Sequence, residues 1–222
     1  MSEVNRSSRI KANGRGRLDL SPTPSTLLNQ LLGYYRFEND LTDSSGNGNT
    51  LPQYSGTANY TTGKLNQGVT SDGVTNQLYL TGLLSGSGDF SFAGWIYPDA
   101  LGTELDIYDT SESVAISVSF QIILDTATPI VTESASTPIV GSPLSKSNWY
   151  HVCVIVTGGD KSLYIDGALI GTVATGLSDP YALYIVTDTT NVMDEIAVWE
   201  RALTTEEVAE LYNSGNGFDP TI

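Results

Sequence analysis

Residues 192–215, VMDEIAVWERALTTEEVAELYNSG, read first as a strand and then as a capped helix, and that junction decides the fold. In VMDEIAVWE (192–200), strict alternation places Asp194, Ile196 and Val198 on one face and Glu195, Ala197 and Trp199 on the other. Two neighbouring acids on such a strand cannot both chelate one ion unless it carries a bulge. After the strand, Thr204 is placed as an N-cap and Glu207 three residues later completes a capping box, with Leu203 set to staple onto Val208. Val208, Leu211 and Tyr212 form one apolar stripe, and Gly215 suits a left-handed C-terminal cap. The helix is therefore expected to act as a clasp that lays its stripe on the margin of a β-structure.

Working outward, the rest of the chain is β-rich. GYYRFE (33–38), NQLYL (76–80), DFSFAGWIYP (89–98), SVAISVSFQIIL (113–124), NWYHVCVIV (148–156) and KSLYIDG (161–167) are rich in β-branched and aromatic residues, and most alternate. Along DFSFAGWIYP, Phe90, Phe92, Gly94 and Ile96 share one face while Trp95 and Tyr97 take the other. Turn signals separate the runs: DSSGNGN from 43, SGSG from 85, TGGD from 157 and IDGALIG from 165. The tetrapeptide TPIV occurs at 128 and 137, which fits a local hairpin better than a repeat architecture, and Pro129 and Pro138 put this segment at a sheet edge. Many antiparallel strands without intervening helices predict an all-β, two-sheet sandwich with one short C-terminal helix.

The 222 residues suffice for one domain with a substantial core, and 40% apolar against 16% charged residues is a globular composition. Charge is unevenly placed: Arg6, Arg9, Lys11, Arg15 and Arg17 are five of the ten basic residues. Beyond residue 17, five basic residues stand against 24 acidic ones, a net charge of −19. Such a body repels nucleic acid. Residues 1–26 carry few large apolar side chains and read as a basic extended arm, leaving 27–222 as the sandwich. The sole cysteine, Cys153 in HVCVIV, reads as a buried small residue. No run of about 18 apolar residues predicts membrane insertion, and the basic start leads into LDLSPTPST, not into the apolar core of a signal peptide.

In order along the chain, LLGYYRFENDLTDSSGNGN, SDGVTNQLYL, FSFAGWIYPD, NWYHVCVIVTGGDKSLYIDGALIG and MDEIAVWERALTTEEVAELYNSG resemble the successive motifs of the laminin-G-like, concanavalin-A-like jelly rolls, above all the lectin-like modules of bacterial and phage surface proteins. The resemblance covers residues 31–215. It implies a jelly-roll sandwich without catalysis, often with one calcium ion and often binding glycans. It also implies that Asp43 in DSSGNGN and Asp194 in DEIAVW occupy positions from which such domains coordinate the ion. Calcium seeks six to eight oxygens, which the 43–49 loop offers from Asp, Ser, Asn and backbone carbonyls. The alternative is that DSSGNGN is only a turn and that Asp194 accepts hydrogen bonds from backbone amides.

Sharper chemistry finds little support. TELDIYDT nearly reproduces the acid motif of the family-16 glucanases through Glu104, Asp106 and Asp109, yet Asp109 faces away from the other two on a regular strand. Retaining enzymes need their carboxyl pair about 5 to 5.5 Å apart. His151 is the only histidine, so a triad or a zinc site lacks partners. Tyr54, Tyr60, Tyr108 and Tyr181 fall in turn-rich segments where a ring can stack on a sugar. The expectation is a non-enzymatic decoration or adhesion protein on the surface of a phage virion or similar extracellular particle. Residues 1–26 would contact other structural proteins of the particle, and host or cell-surface glycans would meet the sandwich. A free calcium-dependent carbohydrate-binding module and a glucanase are the alternatives.

Overall fold

The structure is a computed structural model that describes residues 25–70, 76–84, 88–98, 105–108, 118–123, 128–133, 138–174, 182–187 and 191–221. The strands are β1 (Leu31–Tyr35), β2 (Gln53–Ser55), β3 (Asn59–Thr62), β4 (Gln67–Thr70), β5 (Asn76–Thr81), β6 (Phe90–Tyr97), β7 (Leu105–Tyr108), β8 (Val118–Ile123), β9 (Thr128–Glu133), β10 (Ile139–Val140), β11 (Tyr150–Thr157), β12 (Asp160–Ile165), β13 (Ala168–Ala174), β14 (Ala182–Thr187) and β15 (Val192–Trp199). One sheet runs β13-β12-β11-β6-β15-β4-β3, with β1 also paired to β15; the other runs β10-β9-β8-β7-β14-β5-β2. Every pairing among the described residues is antiparallel, as the turn-separated alternation predicts.

The central strands of the first sheet are buried on both faces, which explains the unbroken run HVCVIV. Val152, Val154 and Val156 point between the sheets with Phe92, Ile96, Leu163, Met193, Ile196 and Val198. Cys153 and Ile155 point outward into a second core with Ala93, Tyr164, Ala197 and Trp199. That outer core is closed by Leu27 and by Leu203, Val208 and Leu211 of the helical clasp.

The helix α1 (Thr205–Tyr212) carries the predicted capping box: the Glu207 amide donates to Thr204 Oγ1 at 3.2 Å and the Thr204 amide to Glu207 Oε2 at 2.9 Å. Arg201 grips the same carboxylate through both terminal nitrogens at 2.7 Å, while its Nε and Nη2 donate to the carbonyls of Asn29 and Thr26. Thr26 Oγ1 also donates to Glu207. The chain just before β1 is thus fastened to the clasp, with Leu27 fully buried and its carbonyl accepting from Trp199 Nε1 at 2.6 Å.

Two local expectations change and a third holds. The left-handed cap comes at Asn213 (φ 47°), two residues before Gly215, because the chain tightens there into a 3₁₀ turn, η1 (Asn213–Gly215). The turn read across IDGALIG is only Asp166 and Gly167 (φ 51° and 76°), the paired positive φ that joins two adjacent strands, so ALIG belongs to β13. The two TPIV copies do form a hairpin: Val131 faces Ile139 and Ile130 faces Val140 at the end of the second sheet. The expected arm lies outside the described residues up to position 24.

Candidate functional site

The acid pair of β15 sits at a β-bulge. Asp194 is opposite Trp95 and Ala197 opposite Ala93, so Glu195 and Ile196 together face Gly94, and Glu195 takes a left-handed φ of 54°. The bulge falls where the other neighbour of β15 changes from β4, at Met193, to β1, at Ile196. Gly94 suits this close approach, since a Cβ would come within 2.3 Å of the buried Ile196 Cδ1, which would have to shift. The regular alternation expected from the sequence is therefore broken: Ile196 and Val198 stay between the sheets, while Asp194 shares the outer face with Trp95.

Asp194 is fully buried and serves the turn between β3 and β4. Its Oδ2 accepts from the Leu65 amide at 2.8 Å and its Oδ1 from the Glu195 amide at 2.9 Å, with the Lys64 amide a third donor. Gly63 is needed beside it, because a Cβ would lie 2.6 Å from Asp194 Oδ2. Burial raises the carboxyl to about 7 against the opposing pull of these amides, and nearby Glu38 raises it further. Asp43 is likewise an amide acceptor: Oδ1 takes Tyr34 N at 2.9 Å and Ser45 N at 2.8 Å, and Oδ2 takes Asn49 N at 2.9 Å. The two aspartates thus organise separate turns and share no partner among these bonds. These bonds use the two carboxylates as amide acceptors in different turns and do not gather them round one ion. Among the described residues no cluster of three or more His, Cys, Asp or Glu side chains is arranged to hold a metal.

Glu195 turns to the outer core, where Tyr34 Oη donates to its Oε2. Burial, then the charge of Asp219, pushes its carboxyl up to about 8. Asp219 forms an ion pair with Arg36 at 3.5 Å. His151 is buried nearby, and burial alone depresses its imidazole to about 3, so the ring is neutral. Cys153 is fully buried and its thiol is raised by burial, so it is no nucleophile.

From the end of the clasp outward, the outer face of the first sheet carries an aromatic ledge. The i, i+2 pairs Trp95/Tyr97 on β6 and Trp149/His151 at β11 project from one face, with His151 opposite Trp95. Trp95 lies 5.2 Å from His151 and is stacked 6.0 Å from Tyr212 at the end of α1. Gly167 permits that cover, since a Cβ would lie 3.1 Å from Tyr212 Cδ1. Lys64 Nζ stands 4.3 Å over the Trp95 ring, placed by the turn that Asp194 caps. Past Tyr212, Tyr97 and Trp149 form a tilted pair, 5.4 Å apart at 52°, and both are half-buried. The loop before Trp149 is fixed by Ser147 N donating to Pro98 O at 2.8 Å and Ser145 N to Tyr150 Oη at 2.9 Å, and it exposes Lys146 and Asn148. Asp166 lies in Lys64's field and accepts from the His151 amide at 2.9 Å. Half-exposed rings flanked by exposed amide and ammonium groups suit a sugar, which offers an apolar face and a polar rim.

The tyrosines singled out from sequence lie elsewhere. Tyr54 on β2 is 69% exposed, whereas Tyr60 on β3 is packed against the inner core. Tyr181, Glu104 and Asp109 lie outside the described residues; for Asp106 and Tyr108 the described part is the β7 backbone, opposite Val186 and Tyr184. The pairing of Tyr97 with Trp149 escaped sequence reading, although the motifs WIY (95–97) and WYH (149–151) each advertise two rings on one face.

A two-sheet antiparallel sandwich with a clasping helix and an aromatic ledge defines a lectin-like β-sandwich. The chain belongs to the concanavalin A-like lectin/glucanases superfamily, whose laminin G profile matches residues 66–209. Domain 4 of AbnA, an extracellular GH43 arabinanase of Geobacillus stearothermophilus solved with arabinotriose, superposes with a TM-score of 0.68 at 22% identity, covering 81% of this chain and 97% of that one. The binding domain of Paraclostridial Mosquitocidal Protein 1 gives 0.68 at 19% identity over 85% of this chain and 53% of its own. Botulinum neurotoxin type C, whose cell entry depends on two ganglioside molecules, gives 0.61 at 15% identity over 85% and 52%. At these identities the likeness is one of fold. No curated protein sequence matches the chain.

Proposed function

We propose that this chain is a non-enzymatic glycan-binding protein of a particle surface, such as a phage virion, with its basic N-terminal segment joining it to other structural proteins and its sandwich meeting glycans. The observation that carries the glycan-binding part is the partly exposed end of the aromatic ledge: Tyr97 at the end of β6 and Trp149 just before β11 pair with each other and are bordered by exposed Lys146 and Asn148. Rigid rings lose little conformational freedom on binding. Family membership and the arabinotriose complex of a similar fold are consistent support.

A glycan panel run with and without calcium tests the reading. Wild type should bind at least one oligosaccharide class, and Trp149→Ala should weaken that binding about tenfold or more, roughly 1.4 kcal/mol, with unchanged circular dichroism. Calcium should leave the affinity unchanged, because Asp43 and Asp194 organise separate turns away from the Tyr97–Trp149 pair. Release of reducing sugar that depends on Glu104 would reverse the non-enzymatic assignment; absence of binding on a broad panel would remove the glycan reading.

A further inference from the structure

Under the ledge, between β11, the β15 bulge and the segment after α1, lies a cavity of about 10 Å³ lined by Tyr34, Trp95, His151, Glu195, Trp199 and Phe218 among others. Two of its lining residues bring polar atoms that the described residues leave without a hydrogen-bond partner: His151 Nδ1 and Glu195 Oε1. Both side chains are deeply buried, at 2% and 6% exposure. Neither atom belongs to an exposed rim that solvent could serve freely, and buried polar atoms are nearly always satisfied.

We propose that this cavity is the binding site of a single internal water molecule, which hydrogen-bonds His151 Nδ1 and Glu195 Oε1 and so links β11 to the bulge of β15. Three features point to water in particular. The volume matches about one water-sized probe, too little for an organic ligand. The lining is polar at two points, whereas cavities that stay dry are apolar throughout. Water both donates and accepts, so it satisfies a neutral imidazole in either tautomer and a carboxyl in either protonation state. The bridge is distinct from the proposed glycan contact but supports it: His151 packs 5.2 Å from Trp95 and 6.3 Å from Tyr212, so fixing the imidazole fixes the floor of the ledge.

A crystal structure of the full chain at a resolution that orders internal water decides the matter. The expected result is one density peak within about 2.7–3.2 Å of both atoms. The peak should persist in Glu195→Gln, whose amide nitrogen donates to the water while its oxygen accepts from Tyr34, and should lose one of its partners in His151→Phe. His151 is the only histidine, so the imidazole ¹⁵N spectrum reports on it without assignment and gives a second readout if the Phe variant does not fold. A hydrogen-bonded Nδ1 shift in wild type is expected. A cavity without density, a direct His151–Glu195 hydrogen bond, or a peak with the anomalous signal of a potassium ion would each overturn the proposal.

Discussion

Glu195 shows how one residue can set the chemistry of a strand. A glutamate at φ 54° carries a conformational cost that the bulge imposes, and its buried carboxyl, raised to about 8, is protonated near neutrality. A carboxyl whose folded value exceeds its ordinary 4.5 contributes stability that is complete below that value and disappears as pH rises towards 8. His151 runs the other way: depressed from 6.5 to about 3, it contributes stability above 6.5 that is lost as pH falls. Between pH 6.5 and 8 the raised carboxyls Glu195 and Asp194 carry most of the difference between the two states, and the raised Cys153 thiol adds to the same fall at higher pH. The melting midpoint should therefore fall between pH 6.5 and 8.5, and Glu195→Gln, a neutral isostere that still accepts from Tyr34, should reduce the fall. Equal slopes in differential scanning calorimetry would contradict this. The acid pair was legible in the sequence, and a bulge only as the condition for both acids to bind one ion. The bulge itself was not, because a left-handed glutamate has no local signature and the glycine it faces, Gly94, lies a hundred residues away on a neighbouring strand. Asp194 was legible as an amide acceptor, but which turn it serves depends on the partner change from β4 to β1.

At the scale of elements, the clasp was written plainly in the chain, since a capping box and a staple are local. Thr204, Glu207, Leu203 and Val208 all take the expected roles, with Leu203 and Val208 buried together in the outer core. What the local pattern omitted is Arg201, which ties Glu207 to the backbone of Thr26 and Asn29, a link across more than 170 residues. The two layers of that joint can be separated. Thr204→Ala removes one cap bond and should cost about 1 kcal/mol by urea denaturation, with faster hydrogen exchange confined to the first turn of α1. Arg201→Ala should cost more, because it leaves the partly buried Glu207 carboxylate without its cation, and should speed exchange in residues 26–31 and in α1 together. Exchange that rises only in the helix would disprove the joint. Strands such as QGVT of β4 and ALIGTVA of β13 were missed for a related reason: their small or glycine-interrupted sequences gain strand character from neighbours, Val69 from Met193 and Val173 from Lys161, and not from their own alternation. The ledge shows the same limit, since Tyr97 and Trp149 become one surface only through the register of β6 with β11.

For the whole molecule, charge separates the chain into two parts with different tasks under the proposed function. Residues 1–17 hold five basic side chains and one acid, Glu3, while the remainder carries −19. Opposite charges on a segment and its body favour contact with an acidic neighbour, and the body's own repulsion keeps sandwiches apart wherever no such segment intervenes. The point of departure is firm: Thr26 and Leu27 are fastened to α1 and β15, so force applied to the preceding segment is delivered to the clasp and the first sheet. The clasp and the ledge lie on the same outer face and meet at Tyr212, which places the segment's root and the candidate sugar surface on one side of the molecule. Deleting residues 1–24 should leave the melting midpoint and glycan affinity unchanged, because the buried anchors begin after it. The same deletion should abolish co-sedimentation with the native particle, and for the intact chain that association should weaken between about 50 and 500 mM salt as the Debye length shortens. Quantitative mass spectrometry of sucrose-gradient fractions measures it, and a truncated chain that still travels with the particle would transfer the attachment from the basic segment to the sandwich.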